Sequence, residues 1–335
     1  MKEALHYKKL KNKAVKCALC PANCVIGPDN LGNCGARKNI NGKLYSLVYG
    51  KPVSISADPI EKKPLYHFLP GSFSLSIGTL GCNFHCLHCQ NWEMSQAKVE
   101  DFSVKEIKPK DLIKAAIKNN CRSISYTYNE PTIFYEYVLE TARLARKKGI
   151  KNIMVTNGYI NKEPLKELYP LIDAANIDLK SIEEGFYKKV CSARLKPVLE
   201  AVKEIKRTGT WIELTNLIIP GYNSGKKQIE KLVIWVKRNL GVDVPLHFSA
   251  FYPTYKLLDA EKTPSEMLLR AKEIAKKEGL RYVYLGNTAL EDAGNTYCPE
   301  CGRLLIERGW LQVHKNNINE GLCQFCSEDI EGVFG

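Results

Sequence analysis

From about residue 73 to 285 the chain alternates between two hydrophobic patterns. Short apolar runs read as strands at 73–80 (FSLSIGTL), 121–127 (CRSISYT), 152–156 (NIMVT), 174–179 (AANIDL), 211–219 (WIELTNLII), 246–251 (LHFSAF) and 281–285 (RYVYL). Between them, apolar positions recur at helical spacing over 109–119, 132–148, 162–169, 183–190, 195–207, 225–239 and 264–278. Helix starts are marked at Pro109, Pro131-Thr132 and Thr263-Pro264, while Gly149, Gly209 and Gly279 follow Lys- or Arg-rich ends. Repeated strand–helix units predict an α/β fold with a parallel sheet and right-handed crossovers. No Gly-x-Gly-x-x-Gly follows the first strand, so a partial or full barrel is expected rather than a doubly wound sheet.

The flanks break this rhythm. Residues 1–70 are rich in Cys, Gly, Asn and Pro, without long periodic segments, and are expected to form a loop-rich cap. Residues 71–290 form the expected barrel, and 291–335 a cysteine-containing tail.

Composition narrows the class. The chain has 335 residues, 44% of them hydrophobic, enough for a sizeable core. No apolar run approaches the ~18 residues of a membrane span, and the N-terminus lacks a secretory h-region. A cytoplasmic protein with no membrane association is expected. The net charge of +13 comes from lysines spread along the helices, which reads as a solvated surface. Residues 1–16 form a basic arm, but 298–335 carry three Lys/Arg against six Asp/Glu. A metal-stabilised nucleic-acid-binding module would leave seven strand–helix units without a purpose and is set aside.

Thirteen cysteines change the picture, because disulfides rarely persist in a reducing compartment. They cluster as Cys17, Cys20, Cys24 and Cys34, then Cys82, Cys86 and Cys89, then Cys298, Cys301, Cys323 and Cys326. Only Cys121 and Cys191 stand alone. The middle group has C-x3-C-x2-C spacing directly after a strand. Three thiolates on one loop can hold three irons of a cubane cluster and leave the fourth open to a small molecule. That loop sits at the strand end where barrel enzymes build active sites. The alternative is a zinc knuckle completed by His85, His88 or a distant cysteine.

This motif resembles the radical S-adenosylmethionine (SAM) superfamily. The resemblance implies a (β/α)6-type, TIM-like partial barrel, a [4Fe–4S] cluster and SAM bound to its open iron. It also implies an external electron donor and reductive cleavage of SAM to a 5′-deoxyadenosyl radical. Tyr126–Pro131 resembles the family's Gly-Gly-Glu-Pro segment, with Tyr128-Asn129 in place of the glycines. Glu130 would accept from the SAM ammonium, with Asn129 and His88 beside it. Thr156-Asn157 and Asp178-Leu179-Lys180 resemble segments of glycyl-radical activating enzymes. By that likeness Lys180 meets the SAM carboxylate, and Asp178, Thr156 and Asn157 lie near the ribose and carboxylate. Asp178 and Lys180 are two apart and so share a side of the strand. Asn216 and Tyr252 are further pocket candidates. Cys191 is either a radical-relay or substrate-contacting thiol, or a packed small hydrophobe.

The two outer cysteine groups read as metal sites. Cys298-x2-Cys301 and Cys323-x2-Cys326 have the spacing of a zinc ribbon or a rubredoxin-like iron. Cys17, Cys20, Cys24 and Cys34 could hold zinc or a second cluster. The whole arrangement resembles the radical SAM proteins of the AmmeMemoRadiSam system, which implies AMMECR1-type and Memo-type partner proteins. The larger glycyl-radical activases carry extra cluster cysteines just after the first motif. Residues 90–120 have none of those, which counts against a glycyl-radical substrate.

Overall fold

A computed structural model describes residues 1–335. One eight-stranded sheet dominates it. Strand β1 (Ser54–Pro59) forms one edge and runs antiparallel to β2 (Phe73–Gly78). Then β3 (Ser123–Tyr126), β4 (Lys151–Thr156), β5 (Ala174–Asp178), β6 (Trp211–Ile218), β7 (Leu246–Ala250) and β8 (Val283–Gly286) follow in order, all parallel. Strands β1 and β8 do not pair, so the sheet is an open, partial barrel. The connecting helices are α1 (Pro109–Lys118), α2 (Tyr135–Lys147), α3 (Lys162–Leu168), α4 (Glu184–Val190), α5 (Leu195–Arg207), α6 (Lys226–Leu240) and α7 (Ser265–Lys277).

The elements follow the sequence logic closely. Helix α5 buries Leu195, Val198, Ala201, Val202 and Ile205, a stripe at three- and four-residue spacing. It ends in Lys206 and Arg207, and the chain turns at Gly209 with φ +83°. Strand β3 is buried at all four positions, as a parallel strand covered on both faces should be.

The first 70 residues differ from the expected loop-rich cap. They contain two three-stranded antiparallel sheets, one of Lys2–Glu3, Lys43–Ser46 and Arg37–Ile40, the other of Tyr7–Lys9, Val15–Cys17 and Val25–Ile26. These strands have two to four residues, too short to show a period. Strand β1 moreover belongs to the main sheet, which therefore starts before residue 71. A buried ion pair docks the cap: Arg37 Nη2 donates to both Glu136 carboxylate oxygens on α2, at 2.8 and 2.7 Å. Glu136 also accepts from Leu5 N.

Residues 60–69 cross beneath the sheet, where Ile60, Leu65, Phe68 and Leu69 pack on Ile153 and Ala174 at the strand starts. Glu213 on β6 pins this segment. Its carboxylate accepts from Tyr66 N, His67 N, Trp211 Nε1 and His247 Nε2. The tail docks on the same end. Its sheet of Thr296–Tyr297, Leu304–Arg308 and Val313–Asn316 shares a small core with Tyr66, Tyr282 and Tyr284.

Two predictions follow from these joints. Glu136→Ala strands a buried guanidinium, so stability should fall by about 3–5 kcal/mol, read as a lower urea midpoint of the metal-loaded protein. An unchanged midpoint would show that the ion pair does not hold the cap. The second concerns His67, which is buried with Nδ1 2.7 Å from Glu331 O and Nε2 2.6 Å from Tyr284 OH. Neutral imidazole satisfies both contacts, and burial pushes the pKa from 6.5 down to about 4. Between those values the unfolded chain binds the extra proton, so stability rises with pH across the window. The slope from this group should reach about 1.4 kcal/mol per pH unit, and His67→Gln should flatten it in denaturation curves taken across that range.

Candidate functional site

Four residues past β2, the chain enters the Cys82–Cys89 loop. It turns at Gly81, with φ +92°, where a Cβ would lie 2.4 Å from Cys34 O. Only glycine fits that conformation against that neighbour. The loop is then held by its own continuation. Gly81 N donates to Met94 O, Gln96 Nε2 donates to Phe84 O, and His85 Nδ1 lies 2.6 Å from Gln96 Oε1. Across the barrel mouth, His85 N and Leu87 N donate to Cys191 O and Val190 O at the end of α4. None of the three loop cysteines forms a disulfide, and Cys89 Sγ sits 3.1 Å from Ser95 Oγ.

The next strand ends meet at one carboxylate. Glu130 Oε1 accepts from Thr132 N, Thr132 Oγ1 and Thr156 Oγ1 at 2.6–2.9 Å, and Oε2 accepts from Asn157 N at 2.8 Å. Burial raises the Glu130 pKa above its ordinary value, although these donors oppose the rise. Each carboxylate oxygen has two lone pairs, and Oε2 accepts only one bond, so one position on Oε2 stays open. Asn157 Nδ2 donates to Asn83 Oδ1, and Asn83 Nδ2 donates to Tyr159 O. The Glu130 network thus reaches the residue after Cys82. Asn129 is spent on the same loop: its side chain accepts from Thr79 N and donates to Thr79 Oγ1 and Gly81 O.

On the opposite side, Lys180 Nζ donates to Asp178 Oδ2 at 3.1 Å. Burial works against the lysine's charge, but Asp178, Cys86 and Cys191 hold its pKa above the usual lysine range. Cys191 is fully buried against the loop, and burial raises its thiol pKa. That burial places it among packed side chains and away from an open cavity. His88 is buried, and its Nδ1 has no partner. Burial pushes its pKa down to about 3, with the Lys180 charge adding to the shift. Asn216 Nδ2 donates to Leu179 O, while its Oδ1 is buried without a partner. Tyr252 lies at the surface, 42% exposed, with its hydroxyl on Asn287 O and Lys262 over its ring. It is not gathered with the others.

These observations fit a cluster with a chelated small molecule. Three thiols occupy one short loop, a charged lysine faces them, and two buried polar atoms lack partners. An open cleft of about 480 Å³ adjoins the loop at Leu87 and is lined by Tyr222, Lys256, Asp259 and Glu261. Sequence reasoning missed Asn83, Ser95 and Gln96, which act only through loop geometry.

The tail carries a different donor set. Cys298 Sγ and Cys326 Sγ lie 3.6 Å apart, Cys301 Sγ and Cys323 Sγ 3.8 Å, and all four sulfurs fall within 4.8 Å of one another. A tetrahedral ion with ~2.3 Å bonds to sulfur sets its ligands ~3.8 Å apart. This group could therefore hold one ion.

Comparison with known proteins now gives the class. The radical SAM superfamily model matches residues 76–235. The chain belongs to that superfamily and is an enzyme, related to the glycyl-radical activating enzymes. Reductive cleavage of SAM at a [4Fe–4S] cluster is general to this family. Among individual relatives, an uncharacterised protein of Methanocaldococcus jannaschii is 48% identical over 335 residues, covering 99% of this chain and 100% of its own. The pyruvate formate-lyase 1-activating enzyme of Escherichia coli K12 is 21% identical over 61% of this chain and 89% of its own. A radical SAM methyltransferase from Sphaerobacter thermophilus shares the fold, with a TM-score of 0.52 at 14% identity over 71% of each chain. No helix is long and apolar enough to cross a membrane.

The tail geometry makes a prediction of its own. One zinc or iron ion per chain should be lost in Cys301→Ser/Cys326→Ser, as measured by elemental analysis. Chelation should also speed amide exchange in residues 296–323 while leaving β2–β7 protected; equal protection with and without chelator would rule out a structural ion there.

Proposed function

We propose that this enzyme cleaves SAM reductively with Cys82, Cys86 and Cys89 as the cluster ligands, and directs the resulting radical at a macromolecular substrate. The observation that carries the reading is the meeting, at one barrel mouth, of three loop thiols with the Asp178–Lys180 pair. A cluster held by Cys82, Cys86 and Cys89 would supply the one electron that cleaves SAM reductively to a 5′-deoxyadenosyl radical.

The chain's own residues bind and orient. Lys180, held charged by Asp178, is placed to receive the SAM carboxylate. His88 Nδ1 and Asn216 Oδ1 offer an acceptor or donor to the bound molecule without first giving up a protein partner. The open Oε2 position of Glu130 is suited to the SAM ammonium, while its other contacts fix Thr156, Asn157 and the cluster loop. Cys191 packs against the loop that carries Cys86, its carbonyl accepting from His85 N. Zinc or iron in the tail, and metal at Cys17, Cys20, Cys24 and Cys34, complete the cofactors. An external reductant supplies the electron.

The AmmeMemoRadiSam assignment, with AMMECR1-type and Memo-type partners, rests on the combination of cap, barrel and tail motifs. The open cleft beside Leu87 suits a protein segment better than an enclosed metabolite pocket would. A second reading, activation of a glycyl-radical enzyme, draws on the similarity to the pyruvate formate-lyase activating enzyme.

Anaerobically reconstituted protein with SAM and dithionite should yield 5′-deoxyadenosine, and Cys82→Ala/Cys86→Ala/Cys89→Ala should yield none. Lys180→Ala should weaken SAM binding roughly 10–100-fold, as expected for loss of a charged hydrogen bond. SAM affinity unchanged in that variant would remove Lys180 from the site. A stable glycyl radical on a partner protein would decide for the second reading.

A further inference from the structure

The cap contains a cavity that the SAM chemistry does not use. Cys17, Cys20, Cys24 and Cys34 all line one small cavity of about 20 Å³. Half of its other wall residues are apolar (Leu19, Ala22, Ile26 and Ile133), and Asn33, Asn83 and Arg37 are polar. Close-packed interiors keep few such spaces, and this one is walled by four thiols.

Two further observations point to an occupant. The first is Arg37, which also lines the cavity. It is 1% exposed, and its Nη2 is taken by Glu136, yet its Nε has no partner. A buried guanidinium N–H left free beside four thiols is a donor waiting for an anion. The second is the spacing of the sulfurs. In the tail they have collapsed to the distances of a single tetrahedral ion, and that is the only cysteine group in the chain to do so. The cap thiols instead surround a void, and none lies within hydrogen-bonding distance of another. A cubane also needs its ligand sulfurs farther apart than a single ion does, since each binds a different iron.

We propose that Cys17, Cys20, Cys24 and Cys34 hold a second [4Fe–4S] cluster, with Arg37 Nε donating to it, and that it relays electrons to the catalytic cluster. Every iron here has a protein ligand, so the centre binds no SAM. Its place fits a relay. Asn83, next to Cys82, forms part of the cavity wall, and Gly81, on the other side of Cys82, packs on Cys34 O. One electron enters from an external low-potential iron–sulfur or flavin protein and one leaves to the catalytic cluster; no bond forms or breaks. The relay role rests on the reading of Cys82, Cys86 and Cys89 as catalytic ligands, whereas the cluster itself does not.

The test uses full-length protein reconstituted anaerobically with iron and sulfide. Cys82→Ala/Cys86→Ala/Cys89→Ala should keep about four irons with matching sulfide, beyond any ion in the tail, and show a reduced-cluster electron paramagnetic resonance signal that SAM does not change. Cys20→Ala/Cys24→Ala should lose that signal and keep the SAM-sensitive one. Its catalytic cluster should also be reduced at least tenfold more slowly by reduced flavodoxin, with dithionite reduction intact. Zinc, a lone iron without sulfide, or no metal in the cap of the triple variant would overturn the cluster. Unchanged flavodoxin kinetics in the double variant would overturn the relay. Wild type with one SAM-sensitive cluster only would sink this inference and leave the proposed function standing; a SAM-insensitive cluster alone would do the reverse.

Discussion

The geometry of the barrel mouth depends on one buried carboxylate. Glu130 accepts four hydrogen bonds from two neighbouring strand ends, and it does so with almost no access to water. Each donor is a group that would otherwise be buried and unpaired, so the carboxylate and its donors require one another. Through Asn157 and Asn83 the constraint passes to the residue beside Cys82. A cluster loop must present its thiols at fixed separations, and a loop tied only by apolar contacts would be free to slide. Hydrogen bonds with directional donors fix it more tightly.

The opposite end of the barrel repeats the device for another purpose. Glu213 gathers two backbone N–H groups, an indole and an imidazole beneath the sheet. It anchors the segment on which the tail docks, far from the loop that bears the cluster thiols. One buried carboxylate thus serves the site and the other serves assembly of the chain. Arg37–Glu136 joins the cap to the barrel in the same manner, at a sequence separation of 99 residues.

This separation explains what could be read in the sequence. Barrel strands and helices were legible because burial imposes periods of 2 and 3.6 on local windows, and every one of the seven expected strands is present. The thiol loop was legible because its three cysteines are neighbours in the chain. The cap strands were not, being too short for a period, and β1 was hidden in a segment that looked irregular. Nor could polar pairing across 99 or 147 residues be seen, since nothing local marks Glu136 or Glu213 as buried. Asn129 shows the limit for site residues: position beside Glu130 suggested a cofactor contact, while the folded chain commits its amide to Thr79 and Gly81. Tyr252 was likewise close in sequence to a strand end, yet the chain turns it out to the rim.

One residue type performs several tasks here, and geometry separates them. The tail sulfurs lie at single-ion distances, and Cys301 and Cys326 are exposed, as suits a structural ion at the surface. The loop offers three thiols, one fewer than the four irons of a cubane. Cys191 is buried against that loop yet comes from another element, and a fourth thiolate from it would close the open iron. The buried Lys180 beside it favours anions, so charge alone would not prevent ligation. What argues against it is protonation: burial raises the Cys191 pKa, and a thiol that keeps its proton does not ligate iron as a thiolate. Cys191 therefore serves the site best by staying protonated, which burial, by raising its pKa, promotes.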